Sequence, residues 1–132
     1  MKEAIFIKNC EVMSSKLFEV MEIEFKDSTE FDRQMLAMLS FGMISAYGMK
    51  ENIEVEVVSL TTEYVLIKIF KYSKEQARTF LQLLINNTKK GRNSTYYNII
   101  HEGIELYYEY VEGETDKMFD RIMKMYLSFR KS

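Results

Sequence analysis

His101 is the only histidine in the chain, and Glu102 follows it directly in the segment HEG. Histidine is the side chain whose ordinary pKa lies nearest neutral pH, so His101 is the one candidate general base. A general base also requires a pocket and a partner that orients its ring, and the neighbouring sequence identifies neither. We therefore predict that His101 and Glu102 are solvated turn residues. The alternative is a binding pair at the mouth of a pocket.

Metal and nucleotide chemistry has little support in this sequence. A metal site requires three or four converging ligands, usually histidine, cysteine or carboxylate. The single histidine and the single cysteine lie 91 positions apart. Neither the GxxxxGK[ST] phosphate loop nor the GxGxxG dinucleotide signature is present. We predict no metal site and no cofactor, and we favour a protein without enzymatic activity.

The cysteine content and the N-terminal segment both bear on the cellular compartment. Cys10 is the only cysteine, so an intramolecular disulfide is impossible, and such a thiol is usually a small buried hydrophobe. The apolar run from Ala4 to Ile7 has four residues, whereas a secretory signal requires about 7–15. These features predict a buried Cys10 and a cytoplasmic protein.

Tyrosines and alternating residues in the second half of the chain predict a hairpin. The segments STYYNII and IELYYEYV flank HEG, and Gly103 is the residue best suited to positive φ in a turn. Tyr97 and Tyr107 fall on the face opposite the apolar alternation, and tyrosine is enriched in protein interfaces. We therefore name His101, Glu102, Tyr97 and Tyr107 as candidate binding residues.

Further alternation and three helix starts predict the fold class. Residues 17–25 and 52–60 also show the alternation typical of half-buried strands, and residues 61–70 are rich in the β-branched and aromatic residues of a more central strand. Helices begin after Ser28, after Ser73 in the capping box SKEQ, and near Thr115. The order is three consecutive ββα units. We predict a single α+β domain over residues 1–132, with a largely antiparallel sheet of about six strands and three helices packed on one face.

Charge is unevenly distributed along the chain. Residues 1–66 carry 6 basic and 12 acidic side chains, and residues 67–132 carry 12 basic and 8 acidic ones. The sequence pI of about 5.6 argues against a nucleic-acid-binding domain. Six glutamates on the outward side of the predicted strands form an acidic face, which is either a solvated sheet surface or a docking surface for a basic protein partner. They are Glu22, Glu24, Glu54, Glu56, Glu105 and Glu109.

Residues 34–49, QMLAMLSFGMISAYGM, contain no charged side chain. A membrane-spanning helix requires about 20 consecutive apolar residues, and serine, glycine and tyrosine interrupt this run, so we predict no membrane segment. As a helix the run has two apolar stripes, where a surface helix needs one. The second stripe predicts either burial under another layer or a subunit interface, and we favour a homodimer. The predicted interface residues are Leu36, Met43 and Tyr47, together with Phe119, Met123 and Tyr126 of the last helix.

Two functional hypotheses follow from these patterns. The leading one is a non-enzymatic cytoplasmic interaction or regulatory protein, such as an inhibitor or an immunity-type binder, that associates with itself. The alternative is a small-molecule-binding protein or a minor enzyme, with a pocket lined by methionine and tyrosine near His101. A concave pocket with converging polar groups beside His101 favours the alternative.

Overall fold

The computed structural model describes residues 2–89 and 94–131, with side chains up to Phe129, and every regular element in these ranges is helical. The elements are α1 (Lys2–Val20), a 3-10 helix (Phe25–Asp27), α2 (Glu30–Lys50), α3 (Val55–Lys68), α4 (Lys74–Asn86), α5 (Ser94–Val111) and α6 (Thr115–Lys131). The predicted α+β domain with a six-stranded sheet and ββα units is therefore wrong, because no strand is present among the described residues.

The segment predicted as a hairpin shows why the alternation was misleading. Residues 94–111 form the single helix α5, and Gly103 lies in its interior rather than in a turn. The buried residues of α5 are Ile99, Ile100, Gly103, Leu106 and Tyr107, which recur at intervals of three and four. That spacing is the period of a helix. Tyrosine and β-branched residues favour strands only weakly, and packing overrides this preference.

The capping residues at the helix starts are more informative than the alternation of apolar residues. The predicted capping box at α4 is confirmed: the Gln76 backbone N–H donates to Ser73 Oγ over 3.0 Å, and the Ser73 N–H donates to Gln76 Oε1 over 2.9 Å. At α2 the cap is Thr29 instead of Ser28. Thr29 and Asp32 form the same reciprocal pair there, at 3.0 and 2.9 Å. The box needs an acceptor side chain at the third helical residue, and Asp32 supplies it for Thr29.

Helix α2 is the centre of the bundle. Twelve of its 21 residues are buried, and it packs against α1, α3 and α5. Most of the uncharged run is therefore enclosed by other helices of the same chain. Of the two explanations for its second apolar stripe, the structure favours burial over a subunit interface. Among the described residues, no helix combines the length and the apolar character needed to cross a membrane.

The closest approach in the bundle lies between α2 and α5, at Gly42 and Gly103. A Cβ atom on Gly103 would lie 2.9 Å from the Gly42 Cα and would overlap the carbonyl oxygen of Leu39. A Cβ atom on Gly42 would lie 2.8 Å from the Gly103 Cα and would overlap the carbonyl oxygen of Ile100. Glycine at both positions therefore allows the two backbones to pack directly on each other.

Cys10 is buried on the core side of α1, and this burial raises the pKa of its thiol from 9.0 to about 12. Between these values the unfolded chain loses the thiol proton while the folded chain keeps it. The contribution to stability is thus fully present below pH 9.0 and is lost as pH rises towards 12, by at most about 1.4 kcal/mol per pH unit.

We expect Cys10→Ala to reduce the alkaline loss of stability. The free energy of unfolding of wild type and variant would be measured by urea denaturation at about pH 8 and about pH 10.5. The difference in pH dependence of the unfolding free energy between the two proteins reports on the thiol alone. Tyr72 and Tyr126, whose pKa values are also raised, are present in both proteins and cancel. Equal pH dependence in both proteins would contradict a buried thiol.

Candidate docking surface

Helix α3 has apolar side chains on all its sides. Val65 and Leu66 face the core and are buried, yet Leu60 is 68% exposed, Tyr64 40% and Ile67 36%. Positions 60, 64 and 67 are four and three residues apart, so the exposed side chains form one row along the outer side of the helix. We call these three residues the α3 row. An apolar row that the chain leaves uncovered is characteristic of an interaction surface.

Carboxylates are concentrated at the start of α3 and in the turn before it. Residues 51–67 contain four glutamates and no lysine, arginine or histidine: Glu51, Glu54, Glu56 and Glu63. Glu63 lies 3.8 Å from the Arg78 guanidinium, and no ion pair within the described part of the chain engages the other three. Glu56 lies one turn before Leu60, so the start of α3 places a carboxylate without an ion pair among the described residues beside the row, while Lys68 follows Ile67 at the other end.

A groove of about 780 Å³ runs between α1 and the outer side of α3. Its walls are mainly apolar and include Ala4 and Ile7 of α1 and Leu60 of α3. The Tyr64 hydroxyl donates a hydrogen bond of 3.1 Å to Glu11 Oε1 and so joins the two walls. The α3 row and this groove are thus parts of one continuous surface.

His101 and Glu102 lie on α5 but do not act together. The exposed His101 ring lies 4.0 Å from the Tyr97 ring, centre to centre, with Nδ1 3.1 Å from the Tyr97 carbonyl oxygen. Glu102 accepts a 2.7 Å bond from Arg121 Nη1, and Arg121 also donates to both carboxylate oxygens of Glu109. Glu102 therefore ties α5 to α6. Neither His101 nor Glu102 lines the groove between α1 and α3 or the cavity that Tyr72 and Phe80 help to form.

Tyr107 lies in an aromatic stack inside the bundle. Its ring centre is 5.7 Å from that of Tyr47, which in turn lies 4.8 Å from the ring of Phe6. Burial is the main cause of the raised pKa of the Tyr107 hydroxyl. The structure brings Tyr47 and Tyr107 together and leaves Tyr97 beside His101, so the two predicted binding tyrosines occupy separate places.

The six residues predicted to form a dimer surface are divided between the core and the surface. Leu36 and Met43 are fully buried in α2. Tyr126 donates a 2.9 Å hydrogen bond to an aspartate of α2, and Met123 is partly buried beside it in α6. Phe119 remains 39% exposed. Self-association stays a prediction, and any dimer surface must exclude the Leu36 and Met43 side chains in this conformation.

Sequence reasoning missed α3 as a site because it assigned these residues to two strands. Two signals were available: the absence of basic residues over 51–67, and apolar residues spread around every side of the helical projection.

Within residues 2–89 and 94–129, no group of three or more histidine, cysteine or acidic side chains converges to hold a metal ion. Metal binding therefore has no support from the described side chains.

Comparison with known proteins identifies a family. A model of the family described as Immunity protein 48 matches residues 6–127, which include all of α2 to α5 and most of α1 and α6. No curated protein and no solved structure matches the chain.

Proposed function

Since the chain belongs to the Immunity protein 48 family, we propose that it protects a cell by binding a protein toxin and blocking its action. The α3 row is the observation that carries this proposal. Leu60, Tyr64 and Ile67 are large apolar side chains on a helix, held in place by the core yet uncovered. Neutralisation by binding needs such a surface and requires no catalytic group.

The composition of this surface resembles that of protein interfaces. Such interfaces combine a central apolar or tyrosine anchor with a polar rim, and a few central residues dominate the affinity. Leu60 and Tyr64 provide the central anchors, and the glutamates at the start of α3 provide part of the rim. The α3 row is therefore the part of the surface where the toxin docks.

The charge of the rim supports a basic protein as the partner. Glu54 and Glu56, at the start of α3, attract a positively charged surface and accelerate its approach. Such steering weakens when salt screens the charges, over about 8–10 Å at ordinary ionic strength. The acidic sheet face predicted from the six glutamates does not form, because Glu56 lies on α3 whereas Glu109 lies on α5 and pairs with Arg121.

The test begins with affinity capture from the cells that make this protein, using wild type, Leu60→Lys and Leu127→Lys. Leu127 is a matched control because it is an exposed leucine, 48% accessible, on the distant helix α6. The captured protein is then expressed in a test host, alone and with each variant. We expect it to arrest growth alone. Wild type and Leu127→Lys should restore growth, and Leu60→Lys should not.

Two results would contradict this function. If the captured protein did not arrest growth when expressed alone, the claim that the partner is a toxin would be contradicted. Protection by Leu60→Lys equal to that by wild type would show that the α3 row is not the docking site. Circular dichroism of both variants must first show wild-type helicity, so that loss of protection reports on binding.

A further inference from the structure

We propose that the groove between α1 and α3 receives an α-helix of the partner protein. The side of this helix that faces the groove is apolar, and its flanks carry lysine or arginine. The inference rests on the proposed function, because it names the structural element through which the toxin is held. It follows from the walls of the groove, their direction and their charge.

The walls of the groove determine the secondary structure of the occupant. Both walls are helices, whose interior N–H and C=O groups are already bonded within each helix. An extended segment placed there would lose water from its backbone without gaining hydrogen-bond partners. A helix satisfies its own backbone groups and presents only side chains, as in other helix-in-groove complexes.

The direction of the two walls leaves a continuous furrow. Phe6 and Val58 meet at Gly48, where an added Cβ atom would lie 3.5 and 2.7 Å from their side chains. About one and a half turns further along each helix, Glu11 meets Tyr64 through the 3.1 Å hydrogen bond. The residues therefore advance in the same order, and α1 and α3 run parallel. A third helix packs in such a furrow by placing its side-chain ridges between those of the walls.

The apolar part of the furrow supplies the anchor. Leu60 and Tyr64 are the most exposed large apolar side chains of the groove, and Ala4 and Ile7 face them from α1. These residues give an occupying helix apolar contacts on both of its sides. A helix with one apolar stripe matches this arrangement, since its opposite side remains in water.

The charges around the groove select a cationic helix. Two carboxylates and two ammonium groups lie at its rim, from Glu3, Glu11, Lys8 and Lys68. Glu63 is paired with Arg78 at 3.8 Å, so the outer side of α3 adds one carboxylate that has no ion pair among the described residues, that of Glu56. The resulting excess of carboxylates is greatest where α1 and α3 begin, because Glu3 and Glu56 lie in their first turns while Lys68 ends α3. The basic residues of the occupying helix therefore lie towards that end.

A peptide of defined composition tests the groove without knowledge of the toxin. The probe is an acetylated and amidated peptide as long as α3, 14 residues, with leucines on one helical side and lysines elsewhere. Its counterpart carries glutamate in place of lysine. Each is titrated into the isotope-labelled full chain and followed by NMR. We expect the shift changes to concentrate at residues 3–11 and 57–68. The lysine peptide should bind at least about tenfold more tightly, and its helicity should rise on binding.

Variants separate the groove from general attraction to an acidic protein. Leu60→Ser should weaken binding of the lysine peptide by about tenfold, while the matched Leu127→Ser should not. Glu3→Gln and Glu56→Gln should each weaken binding at low salt, while Glu112→Gln in the exposed turn after α5 should leave it unchanged.

The inference is overturned if the shift changes spread over the whole surface, if the glutamate peptide binds equally well, or if Leu127→Ser weakens binding as much as Leu60→Ser. The growth assay distinguishes this failure from failure of the proposed function. Loss of protection in Leu60→Lys without peptide binding would keep toxin docking and exclude the helix. Peptide binding to the groove without protection against any captured protein would keep the helix-binding groove and exclude the proposed toxin neutralisation.

Discussion

Met43→Glu is expected to unfold the protein. Met43 is completely buried in α2, at the centre of the bundle, so the new carboxylate would enter an apolar core. A buried polar group without partners costs several kcal/mol, and a loss of about 4–5 kcal/mol approaches the whole stability of many small domains, about 5–15 kcal/mol. Circular dichroism at increasing urea concentration would measure the loss of helicity and of the free energy of unfolding.

Met49→Glu is the matched control for this experiment. Met49 lies on the same helix and is 82% exposed, so the same change should alter the free energy of unfolding by less than about 0.5 kcal/mol. The dimer hypothesis from the sequence predicts the opposite for Met43→Glu, namely an intact monomer released from a dimer. A folded, stable Met43→Glu variant would therefore contradict the enclosed position of α2.

Gly103→Ala is expected to destabilise the protein by about 2 kcal/mol or more. The added methyl group overlaps the Leu39 carbonyl oxygen and lies 2.9 Å from the Gly42 Cα, and backbone atoms of a packed helix cannot move aside individually. Overpacking costs about 1–3 kcal/mol and occasionally more, while the better helix propensity of alanine returns at most about 1 kcal/mol. Gly103→Val adds still more volume and should lose more. Urea denaturation measures both variants.

Gly113→Ala separates crowding from backbone conformation. Gly113 has a φ of 71° and nothing within 4 Å of an added Cβ atom, so alanine there meets only the conformational cost, about 1 kcal/mol. If Gly103→Ala cost no more than Gly113→Ala, the close approach of α2 and α5 would be refuted. The hairpin hypothesis also predicted a loss at Gly103, but assigned it to a strained turn.

Local interactions were the part of the fold that could be predicted from the sequence. The capping box at Ser73 and Gln76 involves residues three positions apart, so the sequence contains all its participants. The helical character of residues 34–49 was also predictable, because their apolar residues recur at helical spacing. The strands were wrong because segments of seven to nine residues are too short to separate the two periods when apolar residues are frequent.

The proposed docking surface could not be predicted from the sequence because it depends on which apolar residues the other helices cover. Leu36 and Met43 on α2 and Leu60 and Ile67 on α3 are similar residues at the same seven-residue interval. Their own helices do not distinguish them. The packing of α1, α3 and α5 around α2 buries the first pair, whereas α1, α2 and α4 cover only part of α3 and leave the second pair exposed. The sequence by itself determined the helical segments of α2, α4 and α6, the acidic stretch at 51–67 and the supply of apolar side chains. Burial is a property of contacts between distant segments, so only the tertiary structure decided which of those side chains became core and which became surface.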